Sequence, residues 1–265
     1  MKNLLQVNIK RVYIYLVYIT NKTLRWLIAL IIAITFMYSL MILSAIPSIA
    51  VGPTTPSYDI YPGTIILLMV IEMVIAFIPS TVIDEIERGE TTLFLAHSLK
   101  RNEYLFAWIL ALLLFPLALI LSHILTLVII YPPQNIALKL IENMLYMSIQ
   151  IVELIVLLFS ISIITRRKNL SVVIGIIIAV PLLFLLPFAG SMLQSTNDPI
   201  WYTLLVPIAI LKPYTYHIFT ITSTSYPYPY RSIQLPSTTT IYVIAIVLTI
   251  AIAIATFIRF MKIDL

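Results

Sequence analysis

The sequence contains no cysteine, which excludes disulfides, iron–sulfur clusters and thiolate zinc sites together. Glycine is scarce as well: the five are Gly52, Gly63, Gly89, Gly175 and Gly190, and none precedes a Lys-Ser or Lys-Thr pair. A phosphate-cradling P-loop and a Gly-rich dinucleotide turn are thereby excluded, so any nucleotide hydrolysis driving this protein must come from a partner. Charge is the third shortage, at 10% of 265 residues against 61% hydrophobic. What is abundant is unbroken apolar sequence, with a mean hydropathy of +1.06. A water-soluble domain does not carry a majority of its residues in such runs, so the class is an all-α integral membrane protein forming one domain over 1–265. Helices follow because lipid gives backbone groups no partner and the period-2 alternation of a barrel is absent.

Six segments approach the roughly 20 apolar residues needed to cross a bilayer. They are about 26–46, 64–83, 104–130, 141–164, 170–188 and 241–260. Pro47, Pro62-Gly63 and Pro132-Pro133 punctuate their ends, while Pro116 and Pro181 fall inside spans and should kink them. With both termini on one side, that side holds thirteen Lys and Arg residues, and the other holds only Lys139, Lys212 and Arg231. This bias predicts cytoplasmic termini in a multi-pass plasma-membrane protein, and it accounts for the net charge of +5 without a nucleic-acid partner. Met1–Thr23 shows no small-residue cleavage site, so no cleaved leader is expected.

Three other segments are apolar or aromatic without being spans. Residues 4–23 form an amphipathic interfacial helix, with Leu5, Ile9, Val12, Leu16 and Ile19 on one face. Tyr13, Tyr15 and Tyr18 suit the headgroup region, although a plain extension of the first span is the alternative. Between spans five and six, 189–240 reads as an outer segment. Within it, Trp201–Leu211 is too short to cross and suits a re-entrant or interfacial helix, and Pro213–Thr240 reads as an extended loop.

Ionisable groups inside spans are Glu72, His123 and Glu153. A charge at mid-bilayer costs about 2.5–3.5 kcal/mol on insertion scales, so each needs a partner, a proton or water. They suit either a proton relay or Glu/His metal site, or hydrogen bonding between neighbouring helices. His97 and His217 fall in loops on opposite sides and cannot complete a metal site, and no H-E-x-x-H motif exists. Arg166-Arg167-Lys168 should pin a tight turn at the headgroups.

The densest charge lies in "IDEIERGETTLFLAHSLKRNEYLF", residues 83–106. Carboxylates contribute little to topology, so Asp84, Glu85, Glu87 and Glu90 are not explained by orientation alone. The segment reads as span two continuing to about Gly89, then a short apolar helix capped by Thr91 or Thr92. Span three follows, capped by Asn102 with Glu103 in its first turn. A short apolar helix fringed with charge below a bilayer is a docking element.

The stretch resembles the membrane subunits of ATP-binding cassette transporters of the ABC-2 (type V exporter-like) family. These follow span two with a charged turn, a Gly-Thr-Leu and a Leu-rich short helix. "ERGETTL" matches through Glu87, Arg88, Thr92 and Leu93, and "LKRNEYL" is similar to the re-entry with Arg101 as its basic residue; Thr91 stands where the family has Gly. The amphipathic helix, six spans and helical segment between spans five and six extend the resemblance over nearly the whole chain. It implies that residues 84–103 are a coupling segment docking on a separate ATPase subunit through Glu85, Glu87, Arg88, Thr92, Leu93, Phe94, Leu95 and Arg101. It further implies a second membrane subunit, same or different, with ATP and Mg held by the ATPase and no cofactor or catalytic residue in this chain. Two other classes remain open: a non-transporting scaffold subunit, and an intramembrane metal-dependent hydrolase using Glu72, His123 and Glu153.

Overall fold

The computed structural model describes residues 8–49, 60–97, 99–130, 134–196, 198–224 and 236–262, and no strand occurs among them. The helices are α1 (Ile9–Ile19), α2 (Arg25–Ile49), α3 (Ile60–Glu87), α4 (Glu90–His97), α5 (Arg101–Ile130) and α6 (Gln134–Thr165). They continue with α7 (Lys168–Ala179), α8 (Pro181–Thr196), α9 (Pro199–Leu211), α10 (Pro213–Thr224) and α11 (Thr238–Lys262). Among the described residues, four helices are long and apolar enough to cross a membrane, or up to six if each of two bent pairs is one span.

The bent pairs have local causes. Between α1 and α2 the chain widens into a π-helical turn, Thr20–Leu24, where Thr20 Oγ1 also donates to the Leu16 carbonyl at 2.8 Å. The two helices diverge there by 67°. Between α7 and α8 the missing N–H of Pro181 breaks the ladder, and the axes bend by 45°. Pro116 lies inside α5, which continues through it as one helix. The turn from α6 to α7 is as tight as the basic cluster predicts, with Arg166 in the left-handed region at φ 51°.

The packing places α3 against α7 and α6, α2 against α5, α11 against α6, and α8 against α9. Small residues permit the closest approach, because dispersion rather than water exclusion drives helix association in lipid. A Cβ added at Gly175 on α7 would stand 2.6 Å from the Ala76 Cβ on α3. One at Gly190 on α8 would stand 2.1 Å from the Phe219 ring on α10. A large apolar cluster fills the space among α1, α3, α5 and α6 around Trp108, Phe115, Ile71 and Ile151. A second, smaller one joins α8, α9, α10 and α11 around Leu186, Leu205, Tyr216 and Ile241.

Four expectations are revised. On α1, Val12 and Ile19 are buried and Leu16 packs on the core as the stripe predicts, whereas Ile9 is 81% exposed. Tyr15, expected at headgroups, is core. Residues 213–224 are not an extended loop but helix α10, packed on α6 and α11. The fifth apolar helix runs on to Thr196, eight residues past the expected end at 188. The remainder of the expected loop, 225–235, and residues 4–7 of the amphipathic segment lie outside the described residues.

Candidate functional site

The charged segment folds around Gly89. Its φ of +73° makes the left-handed turn that ends α3 and starts α4, with the Gly89 N–H donating to the Ile86 carbonyl at 3.1 Å. Because α4 begins at Glu90, Thr91 and Thr92 lie within its first turn and do not cap it. Thr91 turns inward, its hydroxyl 3.2 Å from the Tyr104 hydroxyl on α5. Tyr104 and Tyr15 both donate to one oxygen of Glu85, at 3.1 and 2.7 Å. Phe94 packs edge-on against Tyr15 with centroids 4.9 Å apart, and Tyr104 stacks on Phe260 of α11 at 5.8 Å. The end of α3, α4, α1, α5 and the end of α11 thus converge on one buried carboxylate.

Glu103 fastens the same region from the side. One carboxylate oxygen accepts the Lys100 N–H at 2.9 Å, the N-cap position of α5, as in a capping box. The other accepts the Asn8 N–H at 2.8 Å, and Asn8 is the N-cap of α1. One side chain therefore caps two helices. Asn102, expected to be the cap of α5, sits in its first turn instead and accepts from the Glu103 N–H at 3.0 Å. At the outer rim, Lys22 Nζ donates to Glu90 at 2.5 Å and to the Tyr18 hydroxyl at 2.6 Å. That bond holds the Glu90 carboxyl below the usual carboxylate range.

The predicted docking residues divide accordingly. Glu87, Arg88 and Thr92 are exposed, as is Lys100. Glu85 is buried at 3% exposure, with one carboxylate oxygen held by the two tyrosines and the other buried without a hydrogen-bond partner among the described residues, so a partner protein cannot reach it. Phe94 and Leu95 are half-buried and pack against the core, so they hold α4 in place more than they offer an apolar patch. The Leu93 side chain lies outside the described residues. Arg101 is half-buried and donates to the Met261 carbonyl at 3.4 Å, tying α5 to the end of α11. Among the described side chains of the segment, the exposed ones are polar.

A second polar centre lies in the middle of the bundle. Glu72 is fully buried on α3 and forms an ion pair with Lys212, also fully buried, at the single-residue junction of α9 and α10. Lys212 was assigned to the outer loop by the charge count, and this is corrected: its ammonium lies inside the protein, leaving only Lys139 and Arg231 on that side of the count, both outside the described side chains. Gln150 on α6 donates to the other Glu72 oxygen at 2.6 Å. Its carbonyl oxygen accepts the Tyr214 and Thr215 N–H groups at 2.9 and 3.2 Å, satisfying first-turn donors of α10 that have no intrahelical acceptor. Lys212 Nζ also lies 3.4 Å from the Ala179 carbonyl, where Pro181 has broken the helix. Glu72 and Gln150 stand roughly three to four turns from either end of α3 and α6, so the α9–α10 junction reaches mid-bundle depth. The sequence does hold a signal for this: an isolated Gln within span four, and one Lys inside "PIAILKPYTY".

The remaining candidates are separate. Glu153 is buried on α6 and neither carboxylate oxygen has a hydrogen-bond partner among the described residues. The His123 side chain, like that of His97, lies outside the described residues. His217 is not in a loop: it stands on α10, half-buried, with its ring 4.9 Å from Tyr146 and 6.3 Å from Tyr242. Among the described residues no three His, Cys, Asp or Glu side chains come together as metal ligands. The ammonium of Lys212 and the amide of Gln150 occupy the Glu72 carboxylate, which leaves it badly suited to a cation. No protein-family model matches the chain, and no curated protein or solved structure does either.

Proposed function

We propose that this chain is the membrane-spanning permease subunit of an ATP-binding cassette exporter, with α4 as the helix that receives movement from a separate ATPase subunit. The observation that supports it is the two-sidedness of residues 84–103. The inner side is fixed by Glu85, Thr91, Tyr104 and Tyr15, while Glu87, Arg88, Thr92 and Lys100 face outward. A coupler must be rigid toward the bundle it moves and must present charge for register toward its partner. On this reading α2, α3, α5, α6, the α7–α8 pair and α11 make six crossings, and α1 is the interfacial helix. The α9–α10 pair enters and leaves the bilayer on the opposite side, turning at Lys212. Both chain ends and α4 face the cytoplasm of a plasma-membrane protein, ATP and Mg are bound by the ATPase, and a second membrane subunit, same or different, completes the pathway.

The test is isolation of the full chain in mild detergent with its bound ATPase, followed by MgATP hydrolysis in the isolate. The double reversal Glu87→Lys/Arg88→Glu should release the ATPase while leaving helix content unchanged. Full retention of hydrolysis after that reversal and after replacement of the exposed Thr92 and Lys100 by Ala would overturn the docking assignment.

A further inference from the structure

Glu153 stands twelve residues from either end of the Ile141–Thr165 span, roughly 18 Å along the helix axis. A glutamate side chain cannot snorkel that far, and its 4% exposure leaves it no water. The contrast with Glu72 is informative. Glu72 lies at comparable depth and is matched by an ammonium and an amide, whereas neither oxygen of Glu153 accepts a hydrogen bond from any described residue. On the elements packed against α6, the described titratable groups are Glu72, Asp84, Glu85 and Glu87 on α3, Arg101, Glu103 and Tyr104 on α5, Tyr202 on α9, Tyr214, Tyr216 and His217 on α10, and Tyr242, Arg259 and Lys262 on α11; Lys212 lies between α9 and α10, and Glu142 and Tyr146 stand on α6 itself. No ion pair or hydrogen bond connects any of them to Glu153. A carboxylate buried at this depth without a hydrogen-bond donor or a counter-ion is neutralised rather than tolerated as an ion.

We infer that Glu153 is a proton-binding site: a neutral carboxylic acid in this closed arrangement, which loses its proton when the bundle opens and water reaches α6. The step is balanced by water alone, since the O–H bond of the acid breaks and the proton passes to a water molecule. Glu72 does not share this role, because separating it from Lys212 would expose two charges at once. The inference does not depend on the transport reading, since any membrane protein with this helix arrangement would hold the same acid.

The experiment uses the full chain in lipid vesicles at neutral pH. Infrared difference spectra of the wild type against Glu153→Gln should contain one carboxylic acid C=O band, with no carboxylate bands. Dicyclohexylcarbodiimide, which attacks protonated carboxyls in apolar surroundings, should add one label at Glu153, reduced at least tenfold in Glu153→Gln and unchanged in Glu72→Gln. Carboxylate bands in the Glu153 difference spectrum overturn the proposal whatever the labelling gives, and so does labelling that survives Glu153→Gln. A matching infrared spectrum of Glu72→Gln, expected to lose carboxylate bands, shows that the two sites are distinguished.

Discussion

Replacing Lys212 by Met removes a cation that is 0% exposed and leaves Glu72 with a single donor, the Gln150 amide. Breaking a buried pair from one side typically costs about 3–5 kcal/mol, because the surviving charge stays desolvated without a counter-ion. Neutral interhelical hydrogen bonds in membranes are worth far less, about 0.6 kcal/mol on average, since the unfolded chain in lipid also finds partners. The ion pair therefore dominates over the hydrogen bonds around it. Glu72→Gln keeps an acceptor for Gln150 and removes only the charge, so the double variant Glu72→Gln/Lys212→Met should recover most of what Lys212→Met loses. A coupling energy of about 2–3 kcal/mol is expected between the two substitutions. It is measurable from unfolding equilibria of the full chain in mixed micelles. Additive single effects, with a coupling below ~0.5 kcal/mol, would mean that Lys212 does not face Glu72 in the folded protein.

The remaining predictions concern backbone approach and capping. Gly175→Ala pushes α7 off the Ala76 Cβ and Cα of α3, at 2.6 and 3.1 Å, and should cost about 1–3 kcal/mol in the same unfolding assay, with Ala76→Gly restoring part of it. Glu103→Ala should cost about 1–3 kcal/mol, because the acceptor for the N-cap N–H groups of both α1 and α5 is lost at once. Hydrogen exchange at Asn8 and Lys100 should accelerate in both places, whereas Glu103→Gln, with one acceptor oxygen, should protect only one of them.

The apolar helices were legible because crossing a bilayer is a requirement on consecutive residues, and four of the expected segments fall in helices long and apolar enough to cross, or up to six if each bent pair is one span. Pro181 was legible for the same local reason, as a missing N–H. Lys212 was not, because a lone lysine beside a proline has the composition of a loop. Its burial depends on Glu72 and Gln150, 140 and 62 positions away in the chain. On α1 it was Tyr15 that was misplaced, since a phenol suits an interface until a buried carboxylate stands opposite it. Glu103 was correctly placed near a helix start, but its second cap belongs to a helix 95 residues earlier and has no trace in local spacing. Local rules located the elements, and the polar pairs that lock them together are long-range.

The π-helical turn at Thr20–Leu24 gives the N-terminal arm a register as well as a direction. An added residue is what distinguishes a π turn from an α turn, so deleting one residue there would let α1 and α2 fuse into regular helix. Every position of α1 would then rotate by about 100° about its axis. Tyr15 would swing away from Glu85, and Asn8 from Glu103, with hydropathy and charge essentially unchanged. The joint therefore works as a key: the arm's contacts with the charged segment depend on a count of residues that no substitution of side chains can restore.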